Sequence, residues 1–407
     1  MNFAQKTAWL IVSLLFIFSL VVWGSLNFVG IWGGISVLYL FLLLVLAVFT
    51  FLNQRGVISK GLLTNVRLLL FSVGLIFLIT EIALRCFYPE LKSYGERNGS
   101  WTYHSPYHIY LRQCDSCAGS FFINHSAGEE EFSQAEFHYK HRYNSLGLRD
   151  HEFTVIKDSN EFRILGLGDS FTEGVGTSAD STWLKQLEYL LNTDSANRHY
   201  TTLNAGAHGS DLFFSYDLLT RCLLKYKPNL VILHLNSTDV NDILFRGGYE
   251  RYNTEGTYIG KKGPWWEFIF GGSYLARLVI LNGLHYNWQL LTNENQQQEE
   301  TEIVKQISRK INDYRQLALQ HHFSFLLVIH PLKEELAGNK NILSGLTIDS
   351  AVATIDLTHA LNQKINGSTP LLQQYYWPID GHFTTKGYAL DAEEIFRIYF
   401  SESREPK

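Results

Sequence analysis

Residues 162–172 read FRILGLGDSFT, an apolar run that passes through two glycines into an acid and a serine. The apolar run predicts a buried strand, and the glycines allow the chain to turn sharply at its carboxyl end. Ser170 would then open a helix, with backbone N–H groups close to its hydroxyl. Ser170 is therefore a candidate nucleophile, although a serine at such a position is also a common helix cap.

Short apolar runs alternate with amphipathic stretches on both sides of this turn. Strands are predicted at 162–167, 200–203, 230–235, 323–329 and 353–357. Helices are predicted at 183–191, 211–226, 303–320 and 385–400. This alternation indicates an α/β fold with a parallel sheet that is covered on both faces, and ligands of such folds bind outside the carboxyl ends of the strands. Residues 246–296 interrupt the pattern with a Gly-, Tyr- and Trp-rich insertion, which is either a lid or a surface excursion.

A second polar cluster lies near the other end of the chain, where residues 377–383 read WPIDGHF. Residues two apart in an extended chain point to the same side, so Asp380 could hold the ring of His382 in one tautomer. With Ser170 these residues follow the chain order Ser, Asp, His, which also occurs in α/β-hydrolases. The G-x-S-x-G elbow of those enzymes is not matched, because Thr172 takes the place of its second glycine.

Several blocks together resemble the SGNH (GDSL) hydrolase superfamily over about residues 140–400. They are 168–172 (GDSFT), 204–209 (NAGAHG) and 380–382 (DGH), with 143–149 (YNSLGLR) ahead of the first strand, as is typical of membrane-linked members. The resemblance implies a flavodoxin-like, three-layer α/β domain in which Ser170 is the nucleophile, His382 the base and Asp380 its partner. It also implies that the backbone N–H groups of Ser170 and Gly209 bind the oxyanion.

Two departures from the family pattern bear on the site. Residues 236–239 read NSTD, so Thr238 stands where the family has an oxyanion-binding Asn. Its hydroxyl could donate from a shorter arm, or Asn236 or Asn241 could replace it. The loss of one such donor lowers rates by about a hundred- to a thousandfold. The last block places the Asp two residues before His382 instead of three, which is similar to SGNH-like polysaccharide O-acetyltransferases.

The resemblance implies a serine esterase acting on acyl groups, such as acetyl, of an envelope glycan or a lipid-linked substrate. The alternatives are a polysaccharide O-acetyltransferase with the same triad, and a degenerate, non-catalytic carbohydrate-binding module. This chemistry needs no metal or organic cofactor, and a dinucleotide-binding fingerprint fails at Phe171. A net charge of −5 gives no basic surface for nucleic acid.

The first 90 residues are predicted to form a membrane anchor. Seven charged residues occur in them, and none lies between Lys6 and Arg55. A spanning helix needs about 20 apolar residues. Three transmembrane helices are therefore predicted, at 8–28, 31–52 and 62–84.

Charge at the ends of these segments predicts their orientation. Arg55, Lys60 and Arg67 lie around the start of the third span, and positive charge favours the cytoplasmic side. The residues after about 85 would then lie outside, as a periplasmic domain on a multi-pass protein of a bacterial inner membrane. The alternative is an interfacial third helix and a cytoplasmic domain. Glu81 and Arg85 are four apart and can pair near the end of the third span.

A lead-in segment, 91–140, joins the anchor to the SGNH-like domain at 141–407. Cys114 and Cys117 form a CxxC pair in it, and His138 and His141 follow. Two Cys and two His could hold zinc, whereas a local disulfide or two unpaired thiols are the alternatives.

Overall fold

The computed structural model describes residues 31–97, 99, 103–107, 128–195, 198–254, 259–338 and 341–401, without the side chains of 31–41, Tyr94 and Glu130. The predicted span at 8–28 and the pair Cys114 and Cys117 lie outside the described residues. The chain divides into two compact units. The first combines the described parts of 1–109 and 262–296, and the second those of 110–261 and 297–407.

The helices are α1 (Ile31–Gln54), α2 (Lys60–Phe87), α3 (Tyr94–Arg97), α4 (Ser170–Glu173), α5 (Trp183–Asp194), α6 (Leu212–Leu218), α7 (Thr238–Arg246), α8 (Glu267–Gly272), α9 (Tyr274–Leu278), α10 (Asn293–His321), α11 (Lys333–Leu336), α12 (Thr358–Ile365), α13 (Thr369–Tyr375) and α14 (Thr385–Ile395). The strands are β1 (Gly128–Ser133), β2 (His138–Tyr143), β3 (Glu161–Gly168), β4 (His199–Gly206), β5 (Leu230–Leu235), β6 (Ser324–Ile329) and β7 (Ala353–Asp356).

The second unit is an α/β domain around a parallel sheet of five strands in the order β4-β3-β5-β6-β7. The predicted parallel sheet is therefore confirmed, and so are its five strands. The chain passes from β3 to β4 on one side and then to β5 on the other, which is the flavodoxin-like order. The order reverses at β3, so the carboxyl ends of β3 and β5 border the crevice in which such folds bind ligands.

β5 shows why the strands could be located from sequence. All six of its residues are buried, because helices cover both faces of the sheet. Even His234 within it is buried, and its ring stacks on the Trp183 indole of α5 at a centroid distance of 4.2 Å. A continuous apolar run bounded by polar residues is therefore a reliable signal for this strand.

A two-stranded antiparallel hairpin, β1–β2, precedes the sheet and was not predicted. Its second strand reads HYKHRY, and alternate residues from Tyr139 to Tyr143 are buried. Tyrosine and histidine fill the buried positions that aliphatic residues usually occupy, so the two-residue period carries a weak hydrophobic signal.

α2 is the one helix, among those whose side chains the structure describes throughout, with the length and hydropathy of a membrane-spanning segment. It begins after Ser59, whose hydroxyl accepts the Leu62 N–H. The predicted spans at 31–52 and 62–84 thus correspond to the helices α1 and α2. That they cross a membrane stays a prediction.

Glu81, near the C-terminal end of α2, has more partners than the Arg85 that the sequence predicted. Its carboxylate pairs with Arg85 at 2.8 Å, as the sequence predicted. It is also fully buried, and it accepts the N–H groups of Tyr274 and Leu275 and the hydroxyl of Ser273. Glu81 therefore supplies the anion at the N-terminus of α9 and does not extend toward lipid headgroups.

The predicted insertion at 246–296 is divided between the two units. Residues 246–261 belong to the second unit, and 262–296 to the first, together with the N-terminal helices. The contacts of Glu81 with the start of α9 are one physical reason, because a buried carboxylate needs these donors.

A buried ion cluster begins α6. Asp211 caps this helix through the N–H groups of Phe213 and Phe214, and it also binds the guanidinium groups of Arg246 and Arg251. Burial alone would raise the pKa of the Asp211 carboxyl, but the charges of Arg251 and Arg246 hold it below the ordinary value. The cluster therefore depends on an ionised Asp211.

We expect Asp211→Asn to lower the free energy of unfolding by about 3–5 kcal/mol at neutral pH, because two buried guanidinium groups lose their counter-charge. Because its folded pKa is lowered, the stability from Asp211 is present above the ordinary carboxyl pKa and is lost as pH falls through the folded value. Urea unfolding across pH should therefore show wild type and variant converging in acid. The exposed Asp180→Asn should stay within about 0.5 kcal/mol of wild type. An equal loss at every pH for Asp211→Asn would contradict this account.

Candidate active site

Ser170 lies at the turn between β3 and α4. The Asp169 carboxylate caps this helix by accepting the Phe171 N–H at 2.9 Å. Ser170 is the first helical residue, so its own N–H has no acceptor within the helix. The sequence prediction placed Ser170 at the carboxyl end of a strand and at the start of a helix, and it lies there.

The structure brings Ser170, His382 and Asp380 together, although 212 residues separate the first two. The Ser170 Oγ lies 2.7 Å from His382 Nε2, and His382 Nδ1 lies 2.5 Å from Asp380 Oδ1. An ionised carboxylate only accepts hydrogen bonds, so the Nδ1 of the neutral ring carries the proton. Nε2 is then free to accept the proton of the Ser170 hydroxyl.

The Asp380 carboxyl stays ionised in this arrangement. Burial alone would raise its pKa, but the hydrogen bonds from His382 lower the pKa below its ordinary value. The His382 N–H also donates to Asp380 Oδ1, at 3.2 Å. Asp380 thus orients both the ring and the main chain of His382.

The loop after β4 carries Gly209 to the end of β3. The Ala207 N–H and the Ser210 hydroxyl both donate to the Gly168 carbonyl, at 3.0 and 3.1 Å. Gly209 lies in the turn between them with a φ of 64°, which favours glycine. Its carbonyl accepts from Arg246, whereas its N–H donates to no acceptor among the described residues. The Gly209 N–H is therefore available to a ligand.

Thr238 is held by protein acceptors. Its hydroxyl lies 2.6 Å from Asn236 Oδ1 and 3.0 Å from Asp169 Oδ2, and it has one proton to donate. The Asn236 amide donates to the same Asp169 oxygen at 2.8 Å. In this structure both side chains tie the turn after β5 to the turn that carries Ser170. The predicted oxyanion contact of Thr238 would require its hydroxyl to turn away from Asp169.

His330 lies behind the site and does not line it. Its ring is buried, 4.4 Å from the Phe171 ring between centroids, and burial lowers its pKa to about 4. His330 therefore stays neutral and packs beneath the turn that carries Ser170.

Two further side chains accept N–H groups of the loops of the site, Glu136 in the β1–β2 turn and Glu173 at the end of α4. His141 in β2 lies beside Glu173. The sequence analysis gave none of the three this role. Each acts across a long sequence separation, so no local pattern marks it.

The described residues contain no cluster of three or more His, Cys, Asp or Glu side chains that could hold a metal ion. His138 is exposed, whereas His141 is buried and lies 2.9 Å from Glu173. The two histidines that could complete a zinc site therefore lie in different surroundings.

No family model matches the chain. A curated relative, an uncharacterized protein of Mycoplasma pneumoniae, is 30% identical over 110 residues; the match covers 26% of this chain and only 12% of that protein.

Several solved structures are similar to the chain at low identity. The acetyl xylan esterase AlAXEase has a TM-score of 0.38 at 14% identity, over 59% of this chain and 100% of that one. A two-domain esterase active on acetylated mannans has a TM-score of 0.37 at 12% identity, over 61% of this chain and half of that one. A putative lipolytic protein of the G-D-S-L family from Desulfitobacterium hafniense has a TM-score of 0.33 at 14% identity, over 58% and 98%. At these scores the similarity decides neither family nor activity.

Gly206 lets the strand β4 approach the turn that carries Ser170. A Cβ at this position would lie 2.1 Å from the Glu173 nitrogen and 2.5 Å from the Thr172 carbonyl carbon. These are backbone atoms and cannot turn aside.

We therefore expect Gly206→Ala to lower the free energy of unfolding by at least about 1–3 kcal/mol, since the end of β4 or α4 must shift. Gly345→Ala is the matched control, because its Cβ would meet only Val304 at 3.6 Å. Thermal unfolding of the two variants measures the difference. Equal midpoints would show that the close approach imposes no constraint.

Proposed function

We propose that this chain is a membrane-anchored serine esterase of SGNH type. Ser170 is the nucleophile, His382 the general base, and Asp380 the residue that orients and stabilises the charged ring. The observation that carries the proposal is the hydrogen-bonded series from Ser170 Oγ through His382 to Asp380. A serine hydroxyl becomes nucleophilic when an adjacent base accepts its proton, and that base works best when a third group holds it.

The reaction proceeds in two steps. Ser170 Oγ attacks the acyl carbonyl carbon while His382 Nε2 takes the hydroxyl proton. Collapse of the tetrahedral intermediate breaks the ester bond, and His382 returns the proton to the leaving alcohol. Water then attacks the acyl-Ser170 ester while His382 takes its proton. His382 returns that proton to Ser170 Oγ as the Oγ–acyl bond breaks, which releases the acid and regenerates the enzyme.

The N–H groups of Ser170 and Gly209 bind the negative oxygen that forms in each step. Main-chain donors are held by the fold and need little reorganisation during such a reaction, which supports this assignment. The predicted third donor, Thr238, would contribute only after breaking its contacts with Asp169 and Asn236.

The proposed substrates are acyl esters, such as acetyl groups, on an envelope glycan or a lipid-linked acceptor. The spacing between Asp380 and His382 supports a second candidate, a polysaccharide O-acetyltransferase, which it resembles. In that reaction a sugar hydroxyl replaces water as the attacking group. Comparing acetate release with acetyl transfer to added oligosaccharide would separate the two.

We expect an alkyl fluorophosphonate to label the wild-type protein at Ser170. Ser170→Ala should abolish labelling, and His382→Ala should slow it by about 10⁶-fold, since the base is lost. The control is Ser178→Ala, which removes an exposed hydroxyl from the same region and should label like wild type. Equal labelling of wild type and Ser170→Ala would refute the nucleophile. No labelling of either would favour the non-catalytic binding module.

The proposed anchor places the esterase domain outside the cytoplasm. α2 supports it by its length and by exposed apolar side chains such as Leu68, Phe71 and Ile76. Basic residues at the start of α2 favour the cytoplasmic side there.

Reporter fusions test this orientation. Alkaline phosphatase fused after residue 95 should be active, because that position would lie outside. A fusion after residue 57, between α1 and α2, should be inactive and is the matched control. An inactive fusion at 95 with full-length expression would contradict three spans and place the esterase in the cytoplasm.

A further inference from the structure

Two side chains connect the hairpin β1–β2 to the loops of the active site. Glu136 contacts one loop directly, and His141 contacts the other through Glu173. The strands of the hairpin pair from Gly128 with Tyr143 to Ser133 with His138, and alternate residues of β2 are buried. Glu136 lies in the connecting turn, and His141 belongs to the buried row. The same hairpin carries exposed counterparts of both, Glu131 and His138.

Glu136 holds the loop that carries Asp380. Its Oε2 accepts the backbone N–H groups of Ile379 at 2.9 Å and of Asp380 at 2.7 Å. The neighbouring Phe137 ring lies 5.5 Å from the ring of Trp377, where this loop begins. A carboxylate that accepts two successive N–H groups fixes the direction of the main chain between them. Glu136 thus sets the point from which the Asp380 side chain reaches His382.

Glu173 holds the loop that carries Gly209. Its Oε2 accepts the N–H of His208, the residue before Gly209, and its Oε1 lies 2.9 Å from His141 Nε2. The Glu173 side chain is buried, and the His141 ring is stacked on Tyr143 at 4.4 Å. His141 is therefore the partner that places the Glu173 carboxylate against the loop.

We infer that the hairpin β1–β2 is a positioning element for the esterase site: Glu136 aligns the loop of Asp380 and His382, and His141 aligns the loop of Gly209 through Glu173. This inference rests on the proposed esterase activity. Neither Glu136 nor His141 touches the reacting atoms. Both act by holding groups that do, and small displacements of such groups are costly, since a shift of 1 Å can lower a rate by about a hundredfold.

The first experiment compares Glu136→Ala with Glu131→Ala in the full chain, with p-nitrophenyl acetate as the probe. We expect Glu136→Ala to lower kcat about 10- to 100-fold with little change in KM, and Glu136→Gln to recover part of the rate because its oxygen still accepts an N–H. Glu131→Ala should match wild type, because the Glu131 side chain is 72% exposed. A wild-type kcat for Glu136→Ala would overturn the inference for this loop.

A double-mutant cycle shows whether Glu136 acts through Asp380. In an Asp380→Ala background, the loss from Glu136→Ala should largely disappear, because the residue being aligned is gone. A merely structural role would instead lower kcat by the same factor in both backgrounds and would overturn the inference. Each kcat is calculated per mole of protein that reacts with the fluorophosphonate, so that misfolded protein does not lower the value.

The second pair of variants is His141→Gln and His138→Gln. We expect His141→Gln to slow fluorophosphonate labelling per reactive site, while the exposed His138→Gln leaves the labelling rate unchanged. Unchanged labelling of His141→Gln would overturn the inference for the Gly209 loop. A different result would contradict the proposed function itself. If Ser170→Ala labels like wild type, Ser170 is not the nucleophile, and the positioning inference is then also wrong.

Discussion

The Asp169 carboxylate is the contact on which the geometry of the site depends. One oxygen begins the helix of Ser170 by accepting the Phe171 N–H, and the other accepts from Asn236 and Thr238 beyond β5. It thus joins the turns after β3 and β5, where the order of the sheet reverses. Hydrogen bonds are directional, unlike apolar packing, so this link helps to set how the two turns meet. Asp169 belongs to the block that resembles the SGNH family, and in this structure its role is to hold the two turns together.

Buried carboxylates beside basic side chains recur near the loops of the site. Asp211 faces Arg246 and Arg251, and Glu173 faces His141. Removing two charges from water is costly, and well-packed apolar residues often give equal stability. These buried groups also fix the direction of the main chain. Arg246 donates to the Gly209 carbonyl, and Glu173 accepts the N–H of His208, the residue before Gly209. The loop that supplies a proposed oxyanion donor is thus held from two sides.

The first unit shows the same use of a buried charge. Glu81 lies in an apolar helix, where sequence reasoning expects an ionised group to reach toward water. It instead binds the start of α9, 193 residues later in the chain, and Arg85 balances its charge. Residues 262–296 therefore belong with the N-terminal helices, although they follow the first strands of the α/β domain. Their contacts, and not their place in the chain, decide the unit to which they belong.

The sequence by itself determined the α/β class, the five sheet strands, and the local turns in which Ser170, Asp380 and His382 lie. Those signals are local: a buried parallel strand needs a continuous apolar run, and a turn into a helix needs glycine and a capping acid. Only the tertiary structure decided the hairpin β1–β2, the hold of Glu136 on the Asp380 loop, and the engagement of Thr238 with Asp169. The last two are hydrogen bonds between residues at least 69 positions apart. Such a bond depends on where the fold places two loops, and no spacing along the chain records it.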